Sequence, residues 1–206
     1  MTATELSFLH RFVPADRPGA PPVLLLHGTG GDENDLIPIG EMVAPGAALL
    51  SPRGKVLESG MPRFFRRLAE GVFDEEDVRR RAGELADFVA EARNAYGLAA
   101  PVALGFSNGA NIAAAMLLLR PGTLAGAALI RAMPPLKQPP RPDLAGTPAL
   151  LLSGAMDPIA PAAQTETLAR TLRDAGADVE QHMLPAGHGL SQADISLTKA
   201  WMAKLT

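Results

Sequence analysis

The sequence predicts an α/β fold, a mostly parallel central sheet with helices on both faces. Three observations lead there. Short apolar runs recur along the chain, among them residues 22–26, 101–106 and 149–152, each cut off by Gly, Pro or Ser. Between them lie longer segments whose apolar residues repeat at spacings of three and four, the period of a helix packed on one face. The two kinds alternate almost from end to end, the pattern of a parallel sheet buried on both sides.

Taken in order, residues 22–26 (PVLLL) have the composition of a buried strand, which His27-Gly28-Thr29-Gly30-Gly31 breaks sharply. Leu36, Ile37, Ile39, Met42 and Val43 point to a short helix, irregular at Pro38 and Gly40. Residues 47–50 are the next strand, stopped by Ser51-Pro52. Residues 53–73 have no clean period and read as a loop with short helical pieces. Asp74 has the chemistry of a helix cap, with acidic residues in the turn behind it. Val78, Ala82, Leu85, Val89, Ala92 and Tyr96 then mark one helix face that ends at Gly97.

Residues 101–106 form a strand with Ser107 directly after it, and residues 111–119 are an almost wholly apolar helix stopped by Arg120-Pro121-Gly122. Strand 124–130, a proline-rich connection over 131–147 and strand 149–152 follow. A helix spans 161–175, with Leu168, Leu172 and Ala175 inward and Gly176 as its stop. Residues 179–184 form the last strand. Ser191 and Asp194 stand at capping-box spacing ahead of the final helix, and Leu190 and Ile195 are placed as a hydrophobic staple. Residues 5–13 are expected as an antiparallel edge strand. With no internal repeat and no linker, residues 1–206 are expected to form one domain.

Composition narrows the function. The chain lacks cysteine, which excludes a disulfide scaffold, a thiol nucleophile and a thiolate metal site, and fits a cytoplasmic location. It has no run of 18 apolar residues and no signal-like N-terminus, so no integral membrane association is expected. Four histidines without HExxH spacing do not support a catalytic metal. The net charge of -3 is near neutral, and Arg63, Arg66, Arg67, Arg79, Arg80 and Arg81 are the one basic cluster. Aromatic residues make up 4% and no RNA-binding or zinc-finger pattern accompanies the arginines. They read as a solvated helix surface, and no nucleic-acid partner is expected.

The chemistry-bearing motif is Gly105-Phe106-Ser107-Asn108-Gly109, a G-x-S-x-G pattern with an apolar strand entering and an apolar helix leaving. Such an elbow holds its serine in a strained turn, with glycines where side chains would collide. A serine hydroxyl needs a base, and His188, in Pro185-Ala186-Gly187-His188-Gly189, lies between the last strand and the last helix. Asp157 follows the strand ending near Leu152, where a carboxylate would orient the imidazole and stabilise its cation. The chain order Ser107, Asp157, His188 is that of α/β-hydrolases. An oxyanion needs fixed donors, for which the amides of Asn108 and Thr29 are the candidates. The glycine-rich loop lacks G-x-G-x-x-G and a P-loop ending, so a nucleotide role is not expected.

The segments LLLHGTGGDENDL, LLSPRG, GFSNGAN, LLSGAMDPIAP and AGHGL resemble the phospholipase/carboxylesterase family of small α/β-hydrolases, which includes the acyl-protein thioesterases. RGKVLESGMPRFFRRLAEGVFDEEDV is most similar to the family's bacterial carboxylesterase branch. The resemblance implies an α/β-hydrolase fold, Ser107, Asp157 and His188 as triad, and oxyanion donors at Thr29 and Asn108. Many relatives carry glutamine where this chain has Asn108. No cofactor and no metal is implied.

The reading is therefore a serine carboxylesterase acting on a small-molecule ester, monomeric or homodimeric. Lysophospholipid or thioester hydrolysis and a non-catalytic hydrolase-fold binding protein are the alternatives. No large lid domain is expected, because residues 131–147 carry five prolines and favour a stiff, extended connection. Leu57, Met61, Phe64 and Phe65 are candidates for an apolar pocket wall, giving a site for compact acyl groups.

Overall fold

The apolar runs become strands because neighbouring strands pair their backbone groups while helices on both sides bury their side chains. In the computed structural model, which describes residues 6–17 and 19–205, the elements run β1 (His10–Val13), β2 (Val23–Leu26), α1 (Ile37–Val43), β3 (Leu49–Pro52), β4 (Val56–Glu58), β5 (Met61–Arg63), β6 (Arg67–Ala69) and β7 (Val72–Phe73). Then come α2 (Glu75–Tyr96), β8 (Val102–Phe106), α3 (Asn108–Leu119), β9 (Gly126–Ile130), β10 (Pro148–Gly154), α4 (Ala162–Asp174), β11 (Asp178–Leu184) and α5 (Gln192–Met202).

Seven strands form one sheet in the order β1-β3-β2-β8-β9-β10-β11. All neighbours are parallel except the β1–β3 pair. The expected edge strand is present as β1; residue 5 lies outside the described residues. The strand period of two sorts the side chains onto two cores. Leu24, Leu26, Ala103, Leu129 and Leu151 pack with α2, α3 and α4, whereas Val23, Leu25, Leu104, Ile130 and Leu152 pack with α1 and α5. Among the described residues no helix is long and apolar enough to cross a membrane.

The helix ends follow their residues. Asp74 accepts a hydrogen bond from Asp77 N at the start of α2, and Gly97 closes it at φ 66°. Ser191 and Asp194 form a reciprocal capping box on α5. Every residue of α3 except Leu119 is buried, as its composition predicts for a helix wedged between the sheet and α2.

Three expectations are corrected. Residues 53–73 hold two β-hairpins, β4–β5 and β6–β7, in place of helical pieces. Ser59 and Gly60 turn the first with φ of 51° and 82°, the paired positive values of a tight hairpin turn. Gly71, at φ 69°, turns the second. The third strand runs to Pro52 instead of stopping before Ser51. Its last parallel partner on β2 is Leu24, opposite Leu50, so the missing proline N–H falls at a strand end where it is tolerated. The third correction concerns the arginines: Arg63 is buried, and only Arg66, Arg79 and Arg80 of the cluster are exposed.

Candidate active site

Ser107 stands where β8 turns into α3, at φ 52° and ψ -115°. The backbone is forced into that corner by contact on every side. A β-carbon on Gly105 would lie 2.6 Å from Gly109 O, and one on Gly109 would collide with Leu26 O. Glycine is therefore required at both positions by close approach. The Ser107 amide donates to Ile130 O at 2.8 Å, tying the elbow to the neighbouring strand.

Asp157 and His188 arrive from the ends of β10 and β11, two and three strands along the sheet from β8. After β10, a turn fully buries the Asp157 carboxylate, and Oδ1 accepts from the Ile159 and Ala160 amides at 2.8 and 2.9 Å. Oδ2 accepts from His188 Nδ1 at 2.8 Å. The other ring nitrogen, Nε2, accepts from Ser107 Oγ at 2.9 Å. The tautomer follows from this network, since Asp157 offers no proton as a carboxylate. The Phe106 ring, 5.4 Å from the imidazole centroid, covers one flank.

The donor side is assembled by β5. Among the described residues neither the Thr29 nor the Asn108 amide has a backbone or side-chain acceptor. Both residues line the recess that also holds Ser107 and His188, a cavity of about 260 Å³. Three bonds from residues 62–64 hold them. Pro62 O accepts from Gly30 N at 3.0 Å, Arg63 Nη1 donates to Thr29 Oγ1 at 2.6 Å, and Asn108 Oδ1 accepts from Phe64 N at 2.7 Å. The last bond gives the Asn108 side chain a structural task.

His27, at the base of the same loop, is buried and neutral. Its Nε2 must accept from Gly54 N (3.0 Å), so Nδ1 carries the hydrogen and donates to Gly28 O (2.7 Å). Burial holds its pKa below the ordinary histidine value, against the bond to Gly28 and nearby carboxylates.

The recess wall differs from the expected one. Leu57 is 70% exposed, Met61 is 41% exposed, and Phe64 and Phe65 are sealed in the core. None of the four lines the recess. Leu57 sits opposite Pro62 in the β4–β5 pairing, while Phe65 packs edge-on to Phe73 at 5.1 Å. The segment instead contributes Arg63, Arg67, Glu70 and Phe73, facing Met133 and Ile159. Glu58 bridges Arg63 (3.2 Å) and Arg67 (2.9 Å), and Glu70 also pairs with Arg67. Burial, then repulsion from Arg67, lowers the Arg63 pKa from its ordinary value. A larger recess of about 400 Å³ lies elsewhere, lined by Val23, Val43 and Met202 with Arg17 and Lys199 at its rim. It contains none of the elbow, histidine or aspartate residues.

Residues 10–205 match the family model described as Phospholipase/Carboxylesterase. The chain belongs to the phospholipase/carboxylesterase family. As a member of that family it is a carboxylic ester hydrolase. MhqD of Bacillus subtilis (strain 168), a protein named as a hydrolase, is 45% identical over 87% of this chain and 90% of its own. The Bacillus cereus carboxylesterase structure is 44% identical, with a TM-score of 0.95 over 97% of this chain and 95% of that one. The structure of YahD with malic acid is 30% identical, with a TM-score of 0.89 over 96% and 100% of the two chains. The family's fold is present here without a large lid insertion; the connection after β9 carries no helix.

Proposed function

We propose that this chain is a serine carboxylesterase for small or compact esters, with Ser107 as nucleophile, His188 as general base and Asp157 as the orienting acid. The observation that carries the reading is the unbroken chain of hydrogen bonds from Ser107 through His188 to Asp157. His188 Nε2 takes the hydroxyl proton as Oγ attacks the ester carbonyl. The oxyanion is received by the Thr29 and Asn108 amides, which need no reorganisation to do so. The imidazolium then protonates the departing alcohol, leaving an acyl-serine. Water, deprotonated by the same imidazole, attacks the acyl-serine; the acid leaves and Ser107 regains its proton.

A refinement concerns the acyl group. Arg63 and Arg67 line the recess, and the similar YahD has a structure with malic acid, a dicarboxylic acid. These favour an acyl group bearing a second polar or anionic end, which would compete with Glu70 for Arg67.

One experiment tests both levels. Purified protein should be labelled by a fluorophosphonate probe and Ser107→Ala should not, with turnover of p-nitrophenyl acetate lost and the circular dichroism unchanged. Turnover in folded Ser107→Ala equal to the parent sinks the nucleophile. Across p-nitrophenyl esters, kcat/KM should fall beyond short acyl chains. Efficiency rising through long chains would move the assignment to lysophospholipid or thioester hydrolysis. p-Nitrophenyl hemisuccinate should exceed p-nitrophenyl butyrate, and the reverse order removes the anionic refinement.

A further inference from the structure

Arg131 is the largest side chain wholly removed from solvent, and no step above uses it. It leaves β9 at φ 58°, a left-handed conformation that residues other than glycine rarely adopt. A guanidinium taken out of water needs partners for its donors, and the identity of those partners is informative. Its Nε donates to Gly187 O at 2.9 Å and its Nη2 to Gly189 O at 3.3 Å. These are the carbonyls on either side of His188. Nη1 and Nη2 also grip both carboxylate oxygens of Asp194, at 2.8 and 2.9 Å. Nη1 reaches Leu152 O as well, at 3.3 Å, and the Arg131 amide donates to the same carbonyl at 2.8 Å.

The loop it grips has few other restraints. Ala186 is tied to Leu184 and Met156, and Ser191 to Asp194. Between them, among the described residues, the backbone carbonyls of Gly187 and Gly189 are held by Arg131. A β-carbon on Gly189 would meet nothing within 4 Å, so packing leaves that residue open, whereas Gly187 O lies close against Gly154. The charge arrangement fits as well. Nε lies 4.0 Å from Asp157 Oδ2, and the Asp194 carboxylate neutralises the guanidinium, so a cation forming on His188 does not face a bare one. Lysine cannot replace this, because one ammonium cannot span a bidentate carboxylate and three carbonyls.

We infer that Arg131 is a positioning residue, which holds the His188 imidazole in bonding reach of both Ser107 and Asp157 by clamping the two flanking carbonyls to a buried ion pair with Asp194. The inference rests on the triad reading above. Its alternative is that the pair merely staples α5 to the sheet.

Two variants separate these. Arg131→Lys keeps a cation opposite Asp194 but loses the clamp. Arg131→Met/Asp194→Leu removes both buried charges together, a replacement that proteins often accept without loss of stability. In each, kcat for p-nitrophenyl acetate should fall about 10- to 100-fold, the scale of a misplaced catalytic group, with KM within about threefold because Arg131 does not line the recess. The low-field proton resonance expected of His188 Nδ1–H in the parent should broaden or vanish in each variant. A folded variant of either kind with parental kcat and an unchanged resonance overturns the inference. If instead the parent neither turns over esters nor takes the fluorophosphonate, the hydrolase reading fails. The histidine resonance still reports on the clamp in that case.

Discussion

On the β10–β11 side of Ser107, the groups that meet the serine are held by charge that never touches water. Arg131 and Asp194 are both fully buried, and the buried Asp157 carboxylate accepts from two amides and from His188. On the β2–β8 side two of the three holding bonds are neutral, and the third comes from the buried Arg63 guanidinium. Thr29, Gly30 and Asn108 are held by a proline carbonyl, a hydroxyl bond and an amide bond from one short hairpin, and His27 stays uncharged beneath them. Where a charge develops and must be oriented, the fold supplies buried ions. Where backbone donors are proposed to point at one spot, two neutral bonds and one from the Arg63 guanidinium hold the loop.

That contrast is most severely tested at Asp157. Asp157→Asn preserves shape while removing the charge and favouring the wrong histidine tautomer, and it should lower kcat by about 10⁴. Single-turnover acylation measured by stopped flow checks it, and an acylation rate within tenfold of the parent would mean that another carboxylate serves. A smaller effect is expected across the elbow. Asn108→Ala keeps the donor amide but strips Phe64 N of its buried acceptor. It should cost about 1–3 kcal/mol in urea unfolding and about tenfold in kcat. A kcat loss as large as that of Asp157→Asn would erase the distinction between the two sides.

The smallest effect is on stability alone and comes from His27. Its folded pKa lies below the ordinary value, so the unfolded chain takes up a proton near pH 6.5 while the folded chain resists it. The contribution of His27 is therefore fully present above about pH 6.5 and declines as pH falls below it. Urea midpoints at pH 7.5 and 5.5 should separate more for the parent than for His27→Gln. Equal separations would place no titration at this site.

Much of this was open to reading along the chain, and the reason differs by element. The strands ahead of Ser107 and Asp157 are apolar runs, the strand ahead of His188 is stopped by Pro185, and each candidate residue lies in the first few positions after its strand. A period-based reading catches that. The hairpins of residues 53–73 escape it because two or three residues per strand show no period. Their turn signals, Ser59-Gly60 and Gly71, are present in the sequence. The pocket candidates failed for a related reason. Phe64 and Phe65 are hydrophobic enough to line a site, and equally so to be buried; only the pairing of β4 with β5 decides that Arg63 faces Thr29 and Leu57 faces out. Arg131 was invisible as a clamp because its partners are carbonyls of glycines more than fifty residues away, and carbonyls leave no mark in composition.

The burial of α3 on all sides also bears on how such a protein changes over time. Its amides, from Asn108 onward, lie in the part of the molecule that opens only with global unfolding and should exchange their hydrogens most slowly. The two hairpins that wall the recess expose Leu57, Leu68 and Val72 and have short ladders, so they should exchange early. Ser107, the proposed nucleophile, is thus mounted on the unit expected to open most slowly, while the hairpin side chains that line the recess ride on one expected to open easily. Substitutions at Arg67 or Glu70, which line the recess without bonding to Thr29 or Asn108, can then alter which ester enters while leaving the elbow, tied to residues 62–64, in place.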